Sequence, residues 1–187
     1  VADGSLLAHI KPGDTSKRDS DINWIHWSPD GSRIAVQAKP KVRVIDPMTG
    51  FDSKAITIGK AMLQDLAWNP ENSEEFITLN GRGQIYRGSV ETIFDSKTVN
   101  PFRQSLASGR ILPGAAVAWS LDGQFYACAN VSRFGVEVRD GKTDQLLWIF
   151  DDFTSRARAL AFTPDGRFLA CGGKGAIRIW DIQTGEK

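Results

Sequence analysis

The 187-residue chain sets 23 Lys and Arg against 22 Asp and Glu, so its formal net charge of +1 argues neither for nor against nucleic acid or an anionic membrane. Its 41% hydrophobic content is enough for a core, while no apolar run approaches the length of a membrane span and the start lacks the pattern of a secretory signal, so no membrane partner is expected. The two cysteines, Cys128 and Cys171, cannot build a disulfide framework, which points to a reducing, intracellular location, cytoplasmic or nuclear.

In chain order, period-two alternation predicts strands at 22–27, 33–38, 42–45 and 54–58, then at 63–68, 75–79, 84–87 and a poorly defined one near 102–106. Further strands are predicted at 115–119, 124–129, 136–139 and 145–150, and at 157–162, 167–172 and 176–180. Helix signals are weak throughout, and the stretch from Glu91 to Pro113 is the best candidate for an irregular insertion.

The strands fall into four repeats. The first strand of each ends on an aromatic residue followed by a polar turn: Trp27-Ser28-Pro29-Asp30-Gly31, Trp68-Asn69-Pro70-Glu71, Trp119-Ser120-Leu121-Asp122-Gly123 and Phe162-Thr163-Pro164-Asp165-Gly166. A period of roughly 40–50 residues is that of propeller blades, each a sheet of four strands, a to d. The expected fold is therefore all-β, a β-propeller of four-stranded antiparallel blades with four repeats, at about 22–60, 63–106, 115–150 and 157–187. The last repeat stops before its own fourth strand. Residues 3–10 are expected to supply it, in this chain or in a partner chain, because pairing first and last strands covers two exposed edges.

Ile177-Arg178-Ile179-Trp180-Asp181 closely resembles strand c of the WD-repeat β-propellers, and the four aromatic-ended turns match that family's strand a. The resemblance covers nearly the whole chain, strongly in repeats one and four and weakly in two. Only Trp180-Asp181 keeps the Trp-Asp pair, and the Gly-His dipeptide that commonly precedes strand a is absent. The family's Asp–His–Ser/Thr–Trp hydrogen-bond network is thus expected to be missing, leaving blade stability to apolar packing. Family rings usually have seven or eight blades. Residues 1–187 are therefore either a single propeller domain or part of a larger propeller, and two chains could close an eight-bladed ring.

Catalytic constellations are nearly absent. The only histidines are His9 and His26, neither with a partner at metal-ligand spacing, so no metal and no cofactor is expected. His26 reads as a packed strand residue. Cys128 and Cys171 follow their repeat aromatic at the same interval, as Val36 does in repeat one, and read as small core residues. Gly172-Gly173-Lys174-Gly175 and Gly81-Arg82-Gly83 lack the spacing of a nucleotide loop and read as b–c hairpin turns. Alternation puts Trp27 and Trp68 in the core, and Trp24 between blades.

Charge is unevenly placed along the repeats. Lys and Arg predominate in the b–c and d–a loops, which share one face of such a ring, while Asp and Glu gather in the a–b and c–d loops of the other. The carboxylates could be there only to cap turns, leaving the basic face as a by-product. Alternatively the basic face binds, through Lys39, Lys41, Arg82, Arg110, Arg133, Arg156 and Lys174. The expected function is a non-enzymatic protein–protein interaction scaffold whose basic face takes an acidic or phosphorylated partner, with self-association into a larger ring as a further expectation. A nucleic-acid or chromatin-associated module, and a regulatory domain of a larger enzyme, are the alternatives.

Overall fold

The computed structural model describes residues 22–38, 41–50, 63–80, 85–90, 116–130, 135–151 and 157–187. Thirteen strands lie among them. β1 (Ile22–Trp27), β2 (Ile34–Ala38) and β3 (Lys41–Ile45) form the first sheet, and β4 (Leu63–Asn69), β5 (Asn72–Asn80) and β6 (Ile85–Ser89) the second. The third is four-stranded, with β7 (Val117–Trp119), β8 (Phe125–Asn130), β9 (Gly135–Asp140) and β10 (Leu146–Phe150) side by side. β11 (Ala159–Phe162), β12 (Phe168–Gly173) and β13 (Ala176–Asp181) complete the fourth. All neighbours are antiparallel and sequential, as in a blade. The expected strands at 3–10, 54–58 and 102–106, and the insertion at 91–113, lie outside the described residues.

Each blade is started by a self-contained turn. In blade 1 the Ser28 hydroxyl donates to Asp30 Oδ1 at 2.6 Å and accepts the Arg33 amide at 2.9 Å. Ser120 with Asp122 and Phe125, and Thr163 with Asp165 and Phe168, repeat that arrangement. Blade 2 replaces it with a bulge between Trp68 and Asn69 and a longer β5. A second repeated turn follows strand c. Asp46 accepts the amides of Met48 and Thr49, Asp140 those of Lys142 and Thr143, and Asp181 those of Gln183 and Thr184. The turn ends in a left-handed residue, Gly50, Asp144 or Gly185.

The blades stack face to face, with strands a (β1, β4, β7, β11) as consecutive neighbours along the inside. The face of each blade turned toward the next meets the opposite face of its successor. Ala35, Val42 and Val44 of blade 1 pack on Leu63, Leu66, Trp68 and Phe76 of blade 2 in one core. A second core runs through blades 2, 3 and 4, from Ile77 and Ile85 through Val117, Cys128, Val136 and Val138 to Leu169, Cys171 and Trp180.

Apolar packing is not the whole of it. Trp68 Nε1 donates to the His26 carbonyl at 3.2 Å, Asp65 Oδ2 accepts the Val117 amide at 3.1 Å, and Trp148 Nε1 donates to the Ile182 carbonyl at 2.8 Å. Arg33 pairs with Glu74, and Arg87 donates to the Gly141 carbonyl. Each blade junction thus carries its own polar bridges, which corrects the expectation of purely apolar joints. These bonds satisfy groups that would otherwise be buried without partners.

Candidate functional site

Two ends of the stack differ from its middle, and one cleft lies on its inner side. The cleft, about 520 Å³, is lined at the close of all four strands a: His26, Trp27 and Pro29; Leu66, Ala67, Trp68 and Pro70; Val117, Trp119, Ser120 and Leu121; Phe162, Thr163 and Pro164. The repeat that specifies the fold therefore also builds the cleft. Leu121 stands where the other turns have Pro29, Pro70 and Pro164, and it is 66% exposed. Asp30, Glu71, Asp122 and Asp165 follow immediately in the same turns.

Those carboxylates are primarily turn residues. The Ser28 hydroxyl, then the Ser32 amide and hydroxyl, draw the pKa of Asp30 down to about 2. Asp165 is lowered by the Thr163 hydroxyl and the Arg167 amide. In the c–d turns Asp46 is lowered by Thr49 and Asp140 by Thr143. This gives the uneven charge distribution a local structural cause. All four remain negative at neutral pH, so the face they occupy keeps an attractive field for cations.

His26 Nε2 lies 3.3 Å from Asp65 Oδ1, and its ring meets Trp24 at 5.2 Å. It is a packed strand residue, as its sequence context implies, and Trp24 packs against the core between blades 1 and 2. Cys128 and Cys171 are both buried thiols, and burial pushes the Cys128 pKa up, away from a reactive thiolate. Among the described residues no three His, Cys, Asp or Glu side chains gather to hold a metal ion. Lys174-Gly175 is the two-residue turn of the β12–β13 hairpin, with Gly175 at φ +80°. That is the hairpin role expected of the segment.

Of the candidate partner-binding residues, Lys174 is exposed at that hairpin tip and Lys41 begins β3. Lys39, Arg82, Arg110, Arg133 and Arg156 lie outside the described residues, so the described structure does not bear on the basic set as a whole. Nothing in their types or spacing marked the cleft. A signal for it was nonetheless present: four turn tips occupied by Pro or Leu at one repeat position.

One expectation fails outright. Trp27, placed in the core by alternation, is 55% exposed, whereas its repeat equivalent Trp68 is 7% exposed. The reason is positional. Trp68 leans on the preceding blade, and Trp119 does the same, lying beneath the Arg87 guanidinium of blade 2 at 5.5 Å. Among the described residues no blade precedes that of Trp27.

Residues 144–181 match the family model described as WD domain, G-beta repeat. That span runs from the d strand of blade 3 through strands a, b and c of blade 4. Residues 144–181 thus form a WD repeat within a chain of β-propeller fold. Its fold aligns with a chain in a solved structure titled "Crystal Structure of Mitotic Checkpoint Complex", with a TM-score of 0.71 and 20% sequence identity. The alignment covers 91% of this chain and 50% of that one, so the four blades described here span half its length. At that identity the likeness is one of fold. Among the described residues no helix is long and apolar enough to cross a membrane.

Proposed function

We propose that the chain is a non-enzymatic protein-interaction scaffold that docks a partner segment in the cleft at the a–b turns. The observation that carries this is the convergence of all four repeat ends on one apolar, aromatic-lined hollow, with exposed Leu121 at its lip. A rigid sheet scaffold presenting such a hollow suits binding rather than turnover. Asp30 and Asp165, next in sequence to the lining residues Pro29 and Pro164, favour a partner segment with one or two apolar side chains flanked by Lys or Arg.

A second reading uses the opposite face. Lys174 at its exposed hairpin tip, with Arg82 and Arg133 in the corresponding loops of repeats two and three of the sequence, favours an acidic or phosphorylated segment there. Selection from a displayed random peptide library separates the two. Enrichment of basic-apolar peptides that is lost in Leu121→Arg supports the cleft. Enrichment of acidic or phosphorylated peptides that is lost in Arg82→Glu/Arg133→Glu/Lys174→Glu supports the basic face instead. Selection of neither class by the folded chain overturns both.

A further inference from the structure

Among the described residues the first and last blades each leave one face uncovered, at repeat positions that are buried or half-buried in the other blades. On the face turned toward a preceding blade, Ile25 of β1 is 57% exposed, while its equivalents Leu66 and Val117 are 1% and 6% exposed. Ile22 is 52% exposed against 2% for both Leu63 and Ala157. Trp27 completes the pattern. On the face turned toward a following blade, Ile177 and Ile179 of β13 are 76% and 54% exposed. Their equivalents Val42 and Val44 are 1% and 2%, and Val136 and Val138 are both 0%. Isolated exposed apolar residues are ordinary, but two contiguous patches at blade-contact positions mark association surfaces.

We propose that a second copy of this chain covers both faces, blade 4 of each copy packing on blade 1 of the other, to close an eight-bladed ring. Three observations select this occupant. The two faces are the complementary halves of a contact that the chain already makes three times, so Ile177 and Ile179 would meet Ile22, Ile25 and Trp27 as Val42 and Val44 meet Leu63, Leu66 and Trp68. The arc aligns over 50% of the solved chain, which leaves room there for a second arc of equal length. The uncovered residues are uncharged, so no like-charge pair opposes the contact. A head-to-tail contact that returns on itself after two copies is finite, whereas one that does not would grow without limit. Trp27 also lines the cleft, whereas Ile22, Ile25, Ile177 and Ile179 do not.

The test is solution mass by light scattering at micromolar concentration, where a particle of twice 20.5 kDa is expected. Ile25→Asp and Ile179→Asp each place a charge on an already exposed strand position. Each variant is expected to keep the β-sheet circular dichroism of the parent and to run as a monomer. Mixing the two variants gives the discriminating result. One junction of the mixed pair then carries both substitutions and the other carries neither, so heterodimers should form where neither variant dimerises alone. A monomeric parent overturns the proposal. So does a mass that climbs steadily with concentration, or a mixture that stays monomeric.

Discussion

Asp30, Asp46, Asp140, Asp165 and Asp181 show how far one residue type carries this fold. Each closes a turn by accepting the amides or hydroxyls two or three residues on. Each has its pKa lowered on folding, to about 2 for Asp30 from an ordinary 3.8. A carboxylate lowered in the folded state stabilises it above the unfolded value and loses that contribution as pH falls through the folded one. The thermal midpoint should therefore be independent of these groups above about pH 5 and fall between about pH 5 and 2. An Asp30→Asn/Asp165→Asn variant should show a shallower fall. Gly185 offers a sharper single-site test. At φ +74° a Cβ would also stand 2.5 Å from the Trp148 ring. Gly185→Ala should cost about 1–3 kcal/mol in urea denaturation, from strain and overpacking together. The cysteines give a third. With Cys128 and Cys171 buried at 1% and 0% exposure, neither should react with a thiol reagent until the chain is unfolded, when both should.

Strands were legible because alternation, aromatic ends and turn residues all mark the same boundaries. β1 begins and ends at the expected residues, and β13 extends one residue past its expected end, to Asp181. β5 starts earlier than expected because Asn69 pairs with Asn72 through a bulge that no Gly announces. What alternation could not reveal is which neighbour a face meets. It assigned Trp27 and Trp68 alike, since both occupy the same repeat position, and only the stacking order separates them. Arg87 was illegible for a related reason. It stands where Val44 and Val138 stand in their blades, and its fitness for that apolar position comes from the Trp119 ring of the next blade and the Gly141 carbonyl. The cleft was hidden too, because Leu121 and the three prolines read singly as turn chemistry. At this scale the contrast between equivalent positions is measurable. Leu66→Ala should cost about 2–5 kcal/mol whatever the protein concentration, as for any fully buried leucine. Ile25→Ala should cost little in dilute solution and more as concentration rises, because its burial comes from a second copy.

The stack as a whole contains two cores rather than one. One is shared by blades 2, 3 and 4, and the other by blades 1 and 2 alone. In a row of sheets that touch only their neighbours, stability divides into units and the joints between them. The line of separation here lies beside Trp68 and Phe76, whose rings meet edge to face at 5.6 Å. The monomeric Ile25→Asp variant should accordingly come apart in two stages. Amides of β2 and β3 should exchange with solvent at lower urea than those of β8 and β12, and identical protection in all four strands would rule this out. A lone copy would then shed its first sheet like a loose leaf while the remaining three stay bound together, and a copy gripped from both sides would have no such weak seam.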